Sequence, residues 1–140
     1  MRPSFGLIIC ARNEEQVIER IVRDLAAQDY PGHLFEIVVV AHNCSDDTAG
    51  TAARAGALVV DLKTEAAGKA LAVEAGARAL AARHDLLGVF DADTRVEPGL
   101  LAAVADHSAD DGVFQAEAVP IEDPEWLAAG YGFGRKARNL

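Results

Sequence analysis

The sequence predicts an α/β fold, with a mainly parallel, doubly wound sheet flanked by helices. Three observations predict it. Short runs that are apolar nearly throughout alternate with amphipathic or Ala-rich stretches of helical length, the pattern of βαβ units. The 140 residues contain no internal repeat or low-complexity linker, so residues 1–140 read as a single domain near the commonest domain size. Polar segments at 11–15, 41–47 and 91–94 each follow a strand, and in such sheets ligands gather outside the carboxyl ends of the strands.

Phe5-Gly6-Leu7-Ile8-Ile9-Cys10 reads as a buried strand that breaks at Ala11-Arg12-Asn13. A helix is expected next, with Asn13 as N-cap and Glu14 and Glu15 in its first turn. Val17, Ile18, Ile21, Val22 and Leu25 hold one face of it at helical spacing. Pro31-Gly32 punctuates the connection to a second strand, Phe35 to Val40, apolar as expected when both sheet faces are covered. The loop from His42 to Asp47 leads to an Ala-rich helix ending near Gly56, then to a short strand, Leu58-Val59-Val60. Gly68-Lys69 opens another Ala-rich helix expected to reach about Arg83. Leu86-Leu87-Gly88-Val89-Phe90 is the fourth strand, and Pro98 stands where a helix can start. Residues 113–119 alternate like a half-exposed strand, and 125–140 are read as helical, weakened by Gly130, Gly132 and Gly134.

Acidic residues outnumber basic ones 22 to 13, and the net charge of −9 argues against nonspecific binding to nucleic acid or to an anionic membrane surface. No apolar run approaches the roughly 20 residues of a membrane span, and Met1-Arg2-Pro3-Ser4 leads directly into a strand, so a cytoplasmic location is expected. Cys10 and Cys44 are too few for a disulfide framework. His42 and Cys44 are spaced like a metal pair, but no second pair accompanies them.

Asp91-Ala92-Asp93 carries the most chemistry. Residues two apart in an extended backbone point to the same side, so both carboxylates can face one spot and hold a hard divalent cation with whatever phosphate it carries. Gly68-Lys69 is not a phosphate loop, because Lys63 occupies the required first glycine position and Ala70 replaces the hydroxyl residue. Lys69 at a helix start can still meet a phosphate, or it is a solvated surface lysine. Glu14 and Glu15 are explained by the first turn of a helix, Asp46 and Asp47 by turn or cap roles, and His42 by an ordinary hydrogen bond. No Ser or Cys nucleophile with a matched His and acid can be argued from spacing.

Taken together, four blocks in order resemble the family 2 glycosyltransferases, which have the GT-A fold. They are Leu7-Ile8-Ile9-Cys10-Ala11-Arg12-Asn13-Glu14-Glu15, residues 38–48 from Val38 to Thr48, Gly68-Lys69-Ala70-Leu71, and Phe90-Asp91-Ala92-Asp93-Thr94, the last similar to the family's DXD block. The resemblance implies transfer of a sugar from a nucleotide-diphosphate sugar, a UDP-sugar above all, to an acceptor hydroxyl. It implies Mg²⁺ or Mn²⁺ on Asp93, with Asp91 holding the metal or the ribose. Ala11, Arg12, Glu14 and His42 would line the nucleoside pocket, with Lys69 near the nucleotide.

Two departures stand out: His42 replaces the usual Asp of the second-strand block, and Glu74 stands where Asn is common. Family catalytic domains are longer, so the chain is expected to be the N-terminal donor-binding portion, a truncated GT-A domain whose catalytic base lies beyond Leu140. Membrane association would come only through that downstream sequence, at the inner face. An exposed sheet edge in such a portion is expected to favour either a homodimer or poor solubility. The alternative is a non-catalytic nucleotide-sugar-binding or interaction module. A sugar-phosphate nucleotidyltransferase would need a glycine-rich loop where Ala11-Arg12-Asn13-Glu14 stands.

Overall fold

The structure is a computed structural model that describes residues 1–107, 118–121 and 134–137. Strand β1 (Phe5–Ala11) runs into helix α1 (Ile18–Ala26), then β2 (Phe35–His42), α2 (Thr48–Arg54), β3 (Leu58–Leu62), α3 (Lys69–Leu80) and β4 (Leu86–Asp91). These strands form a four-stranded sheet in the order β3-β2-β1-β4, parallel throughout. The first two crossovers step outward from β1 to β3; the third returns across the sheet and places β4 on the other edge of β1. That reversal is a switch point, where the connections leaving β1 and β4 diverge and leave a crevice at their carboxyl ends.

Both faces of the sheet are covered, which explains the continuous apolar runs of β1 and β2. Leu7, Ile9 and Val39 pack with Ile18, Ile21, Val22 and Leu25 of α1, while the intervening Ile8, Val38 and Val40 pack with Ala72 and Leu80 of α3. The two-residue period of the strand thus divides one run of side chains between two cores. Helix α3 lies unusually close to β1. A Cβ on Gly76 would sit 2.5 Å from Ile8 Cγ2, and one on Gly6 would sit 2.9 Å from Leu80 Cβ. Small residues at this crossing let helix and strand approach.

After β4 the chain forms β5 (Thr94–Val96) and α4 (Leu100–His107), and a second sheet follows in the order β5-β7-β6, with β6 (Ala118–Ile121) and β7 (Gly134–Ala137). This segment is fastened to α1. The Asp24 carboxylate accepts hydrogen bonds from Arg95 Nε at 2.8 Å and Nη2 at 3.2 Å and from the Val96 backbone N–H at 2.9 Å. Gln28 reinforces the join, donating to the Glu97 carbonyl at 2.7 Å and accepting from the Leu101 N–H at 3.1 Å.

Several sequence expectations shift. α1 begins at Ile18 rather than just after Asn13, because residues 14–17 form a turn whose N–H groups at Val17 and Ile18 bond the Glu14 carbonyl. β2, β3 and β4 run past their expected ends, and α3 ends at Leu80 rather than near Arg83. β5 was not expected; three residues are too few for a periodic signal. Pro98 precedes α4 by one turn residue, Gly99, instead of opening it. Gly134–Ala137 is a strand, not the helix expected over 125–140, in keeping with its glycine. The rest of that expectation, and residues 113–117 of the alternating run, lie outside the described residues.

Two stability predictions follow from the packing. Gly76→Ala gains about 1 kcal/mol of helix propensity but drives a methyl into Ile8, an overpacking cost of about 1–3 kcal/mol. Urea denaturation is therefore expected to show net destabilisation, whereas Gly32→Ala, with nothing near the added Cβ, stays near neutral. Asp24→Ala strips acceptors from a partly exposed guanidinium and a backbone N–H. A loss of about 2 kcal/mol is expected by the same measurement.

Candidate functional site

A cleft of about 260 Å³ opens at the carboxyl end of the sheet, over the switch point between β1 and β4. Cys10, Ala11 and Arg12 enter from the end of β1, His42 and Asn43 from the end of β2, Ala67, Gly68, Lys69 and Ala72 from the start of α3, and Asp91 from the end of β4. The parallel register aligns these ends: Ala11 pairs with Ala41, and Cys10 with Asp91. Gly68 enters α3 at φ +151, a conformation disfavoured for any residue with a side chain, and so aims the first turn of the helix at the cleft. The N–H groups at the start of that helix and the Lys69 ammonium give this wall a positive character.

The floor is held by cross-bracing between the two loops that follow β1 and β2. Asn13 and Asn43 adopt left-handed conformations, φ 54 and φ 51, which asparagine tolerates better than most residues. Asn13 Oδ1 accepts from the Ser45 N–H at 2.7 Å, Asp46 Oδ2 accepts from the Glu15 N–H at 3.2 Å, and Glu15 Oε2 accepts from the Asp47 N–H at 3.1 Å. Fully buried Thr48 accepts from the Glu14 N–H at 2.9 Å and donates to Asp46. For Asp46, burial raises the carboxyl pKa, but hydrogen bonds from the Thr48 hydroxyl and from the backbone of Glu15 and Thr48 outweigh it, leaving the group below its ordinary value. It is a structural carboxylate, matching the turn or cap role expected of it.

Lys69 Nζ donates to Asp91 Oδ1, and the two side chains are 54% and 48% exposed. A pair this exposed contributes about 1 kcal/mol or less, so either partner can be drawn to a new counter-charge at small cost. Burial pushes the Cys10 thiol up, with Lys69 opposing and Asp91 adding to the rise, so at neutral pH it is a neutral thiol and not a nucleophile.

Of the residues expected at a site, Ala11, Arg12, His42, Lys69 and Asp91 converge on the cleft. Glu14 and Asp93 are not among its lining. Glu14 lies in the braced loop, where its backbone joins Thr48 and α1. Asp91 and Asp93 do not share a side of an extended strand, contrary to the sequence expectation, because β4 ends at Asp91 and Ala92-Asp93 form a turn with Ala92 buried. Asp93 sits half-buried between β4 and β5. Glu74 pairs with Arg78 at 2.6 Å on the outer surface of α3. The sequence reading missed Thr64, which bonds His42, and Cys10 as a lining residue; the chain spacing of neither signals it.

Among the described residues no group of three or more His, Cys, Asp or Glu side chains could by itself hold a metal ion. The carboxylate that lines the cleft, Asp91, still suits one kind of ion. Mg²⁺-like cations are held by one or two carboxylates, with ligand phosphates and waters completing the shell.

A family model described as glycosyltransferase-like family 2 matches residues 3–120. A beta-monoglucosyldiacylglycerol synthase from Synechocystis is 36% identical over 119 residues, which span 76% of this chain and 23% of that enzyme. The mannosyltransferase PcManGT from Pyrobaculum calidifontis, solved with GDP-Man and Mn²⁺, superposes with a TM-score of 0.66 at 26% identity, over 81% of this chain and 34% of that one. Glucosyl-3-phosphoglycerate synthase from Mycobacterium tuberculosis, solved with Mn²⁺, UDP and glucosyl-3-phosphoglycerate, superposes at 0.51 with 25% identity, over 65% of this chain and 34% of that one. The chain thus spans only a quarter to a third of these relatives, and the part it spans shares the GT-A fold of the solved ones. A match over this much of the sequence, agreeing with the fold, means that the chain belongs to the glycosyltransferase-like family 2.

Proposed function

We propose that this chain is the donor-binding part of a glycosyltransferase, a single domain that holds a nucleotide-diphosphate sugar, with a divalent cation, in the cleft over the switch point. The observation that carries this reading is the meeting of Lys69, the N-terminus of α3 and Asp91 at one crevice. An ammonium and helix N–H groups suit a diphosphate; carboxylates suit a hard cation. The relatives solved with GDP-Man and Mn²⁺, and with UDP and Mn²⁺, support the same pairing.

On this reading Ala11, Arg12 and His42 surround the nucleoside, while Glu14, expected with them, stays in the braced loop outside the cleft lining. Ala11 is buried at the end of β1 and Arg12 is exposed at the mouth. Asp93, with Asp91, would hold Mg²⁺ or Mn²⁺. The cation would supply charge neutralisation on the diphosphate as it leaves the sugar. Lys69, released from Asp91, contributes to the same charge. The group that deprotonates the acceptor hydroxyl is assigned to none of these residues, so this segment carries donor and metal binding.

Titration calorimetry with UDP and GDP in the presence of Mn²⁺ tests the reading. At least one is expected to bind, and Asp93→Ala is expected to weaken Mn²⁺-dependent binding by about tenfold or more, ~1.4 kcal/mol. Lys69→Ala is expected to weaken binding by about tenfold with or without Mn²⁺, since it meets the phosphates directly. Absence of any nucleoside diphosphate binding with Mn²⁺ present would overturn the reading.

A further inference from the structure

The chain on the two sides of the Ala92-Asp93 turn is held by different parts of the molecule. Up to Asp91 it belongs to the main sheet, where β4 pairs with β1 as far as Cys10 and Asp91. Past Asp93 it leaves that sheet, because β5 pairs with β7 and, among the described residues, with no strand of the main sheet. Ala92, 3% exposed, packs in the core with Val96, Leu100 and Leu101. Apolar burial has no direction, so this contact sets the depth of the turn but not its orientation. Orientation comes from Asp24 on α1, whose side chain is 16% exposed. Its Oδ2 accepts from both Arg95 Nε and the Val96 backbone N–H, and its Oδ1 accepts from Arg95 Nη2. A carboxylate that takes a guanidinium fork together with the next backbone N–H fixes main chain as well as side chain. Asp93 is thus strung between two pinned points, Asp91 on β1 and Val96 on α1. The residues between them include no glycine to loosen the span. Asp24 itself is not among the residues that line the cleft.

We infer that Asp24 is a positioning residue for cation binding: through Arg95 and the Val96 N–H it fixes the far side of the turn that carries Asp93, and so the placement of Asp93 relative to Asp91. The inference rests on the donor-binding reading above. Mg²⁺-like cations demand near-ideal geometry from their few protein carboxylates, so a turn free to shift costs cation affinity directly. The diphosphate is served by Lys69 and the start of α3, which are held by other elements and do not depend on the turn. Loss of Asp24 therefore acts on the metal-dependent part of nucleotide binding and spares the metal-independent part.

The test is calorimetry of the 140-residue chain with UDP and with GDP, in Mn²⁺ and in EDTA, at a temperature where circular dichroism shows each variant folded. The quantity read is the factor by which Mn²⁺ tightens binding. Asp24→Ala is expected to reduce that factor about tenfold, the lower end of what losing a partner behind a metal ligand costs, with affinity in EDTA unchanged within about twofold. Arg95→Lys, which keeps the charge but not the fork, is expected to reduce it by a smaller factor. Tyr30→Phe removes a hydrogen bond to the Pro3 carbonyl at the amino end of β1 and is expected to leave the factor as it is. If Asp24 only stabilises the fold, its loss lowers both affinities alike and the Mn²⁺ factor stays intact, which overturns the inference. Should Asp24→Ala not fold, Arg95→Lys decides by the same criterion. Nucleotide binding that Mn²⁺ does not tighten in the wild-type chain also overturns the inference, while the donor-binding cleft stands. Absence of any nucleotide binding removes the donor-binding reading itself, and the inference with it.

Discussion

The rest of the structure depends on β1 being hydrogen-bonded on both edges by parallel strands while buried on both faces. Its β2 edge is reached by a crossover on one side of the sheet and its β4 edge by a crossover on the other. The crevice is therefore a consequence of connectivity, not of any cluster of polar residues. Were β4 to continue outward beyond β3, Asp91 would be carried away from Cys10 and Arg12. The glycine pair at Gly6 and Gly76 belongs to the same constraint, since it lets α3 lie close against β1 and so sets the depth at which Lys69 enters the cleft.

The loops over this crevice are held by polar bonds rather than by apolar packing. Most of the braces between residues 13–15 and 45–48 involve backbone N–H groups of one loop and side-chain oxygens of the other. Such bonds fix backbone position while leaving the upper surface open to a ligand. They also account for acidic residues that looked like helix-cap surplus: Glu15 and Asp46 spend their charge on neighbouring backbone and have little left for a cation. The fastening of α1 to β5 through Asp24 and Arg95 acts on the opposite flank, just past Asp93.

The sequence made the sheet legible, because buried parallel strands are written as unbroken apolar runs and the helices between them carry a face. Its topology was legible only as a class, since nothing local in residues 86–91 says on which edge of β1 they pair. The candidate site was legible in Ala11, Arg12, His42, Lys69 and Asp91 through their positions at strand and helix ends. What escaped were properties set by distant partners. Asn13 resembles a helix cap by its neighbours, but Ser45 claims its side chain. Thr64 is an unremarkable loop residue until the fold sets it against His42. The turn at Ala92-Asp93 reflects burial of Ala92 in a core that only the fold assembles.

The Lys69–Asp91 pair has a consequence for what can enter the cleft. The chain as a whole carries −9, so a bare polyanion approaches against its field, while a bare cation approaches with that field but meets an ammonium at the mouth. Either alone leaves one member of the pair stranded. A salt of the two, cation and diphosphate arriving joined, satisfies both at once in an exchange of ionic partners. On the donor-binding reading the exchange favours the compensated complex over its separate halves, by no more than the ~1 kcal/mol that so exposed a pair is worth.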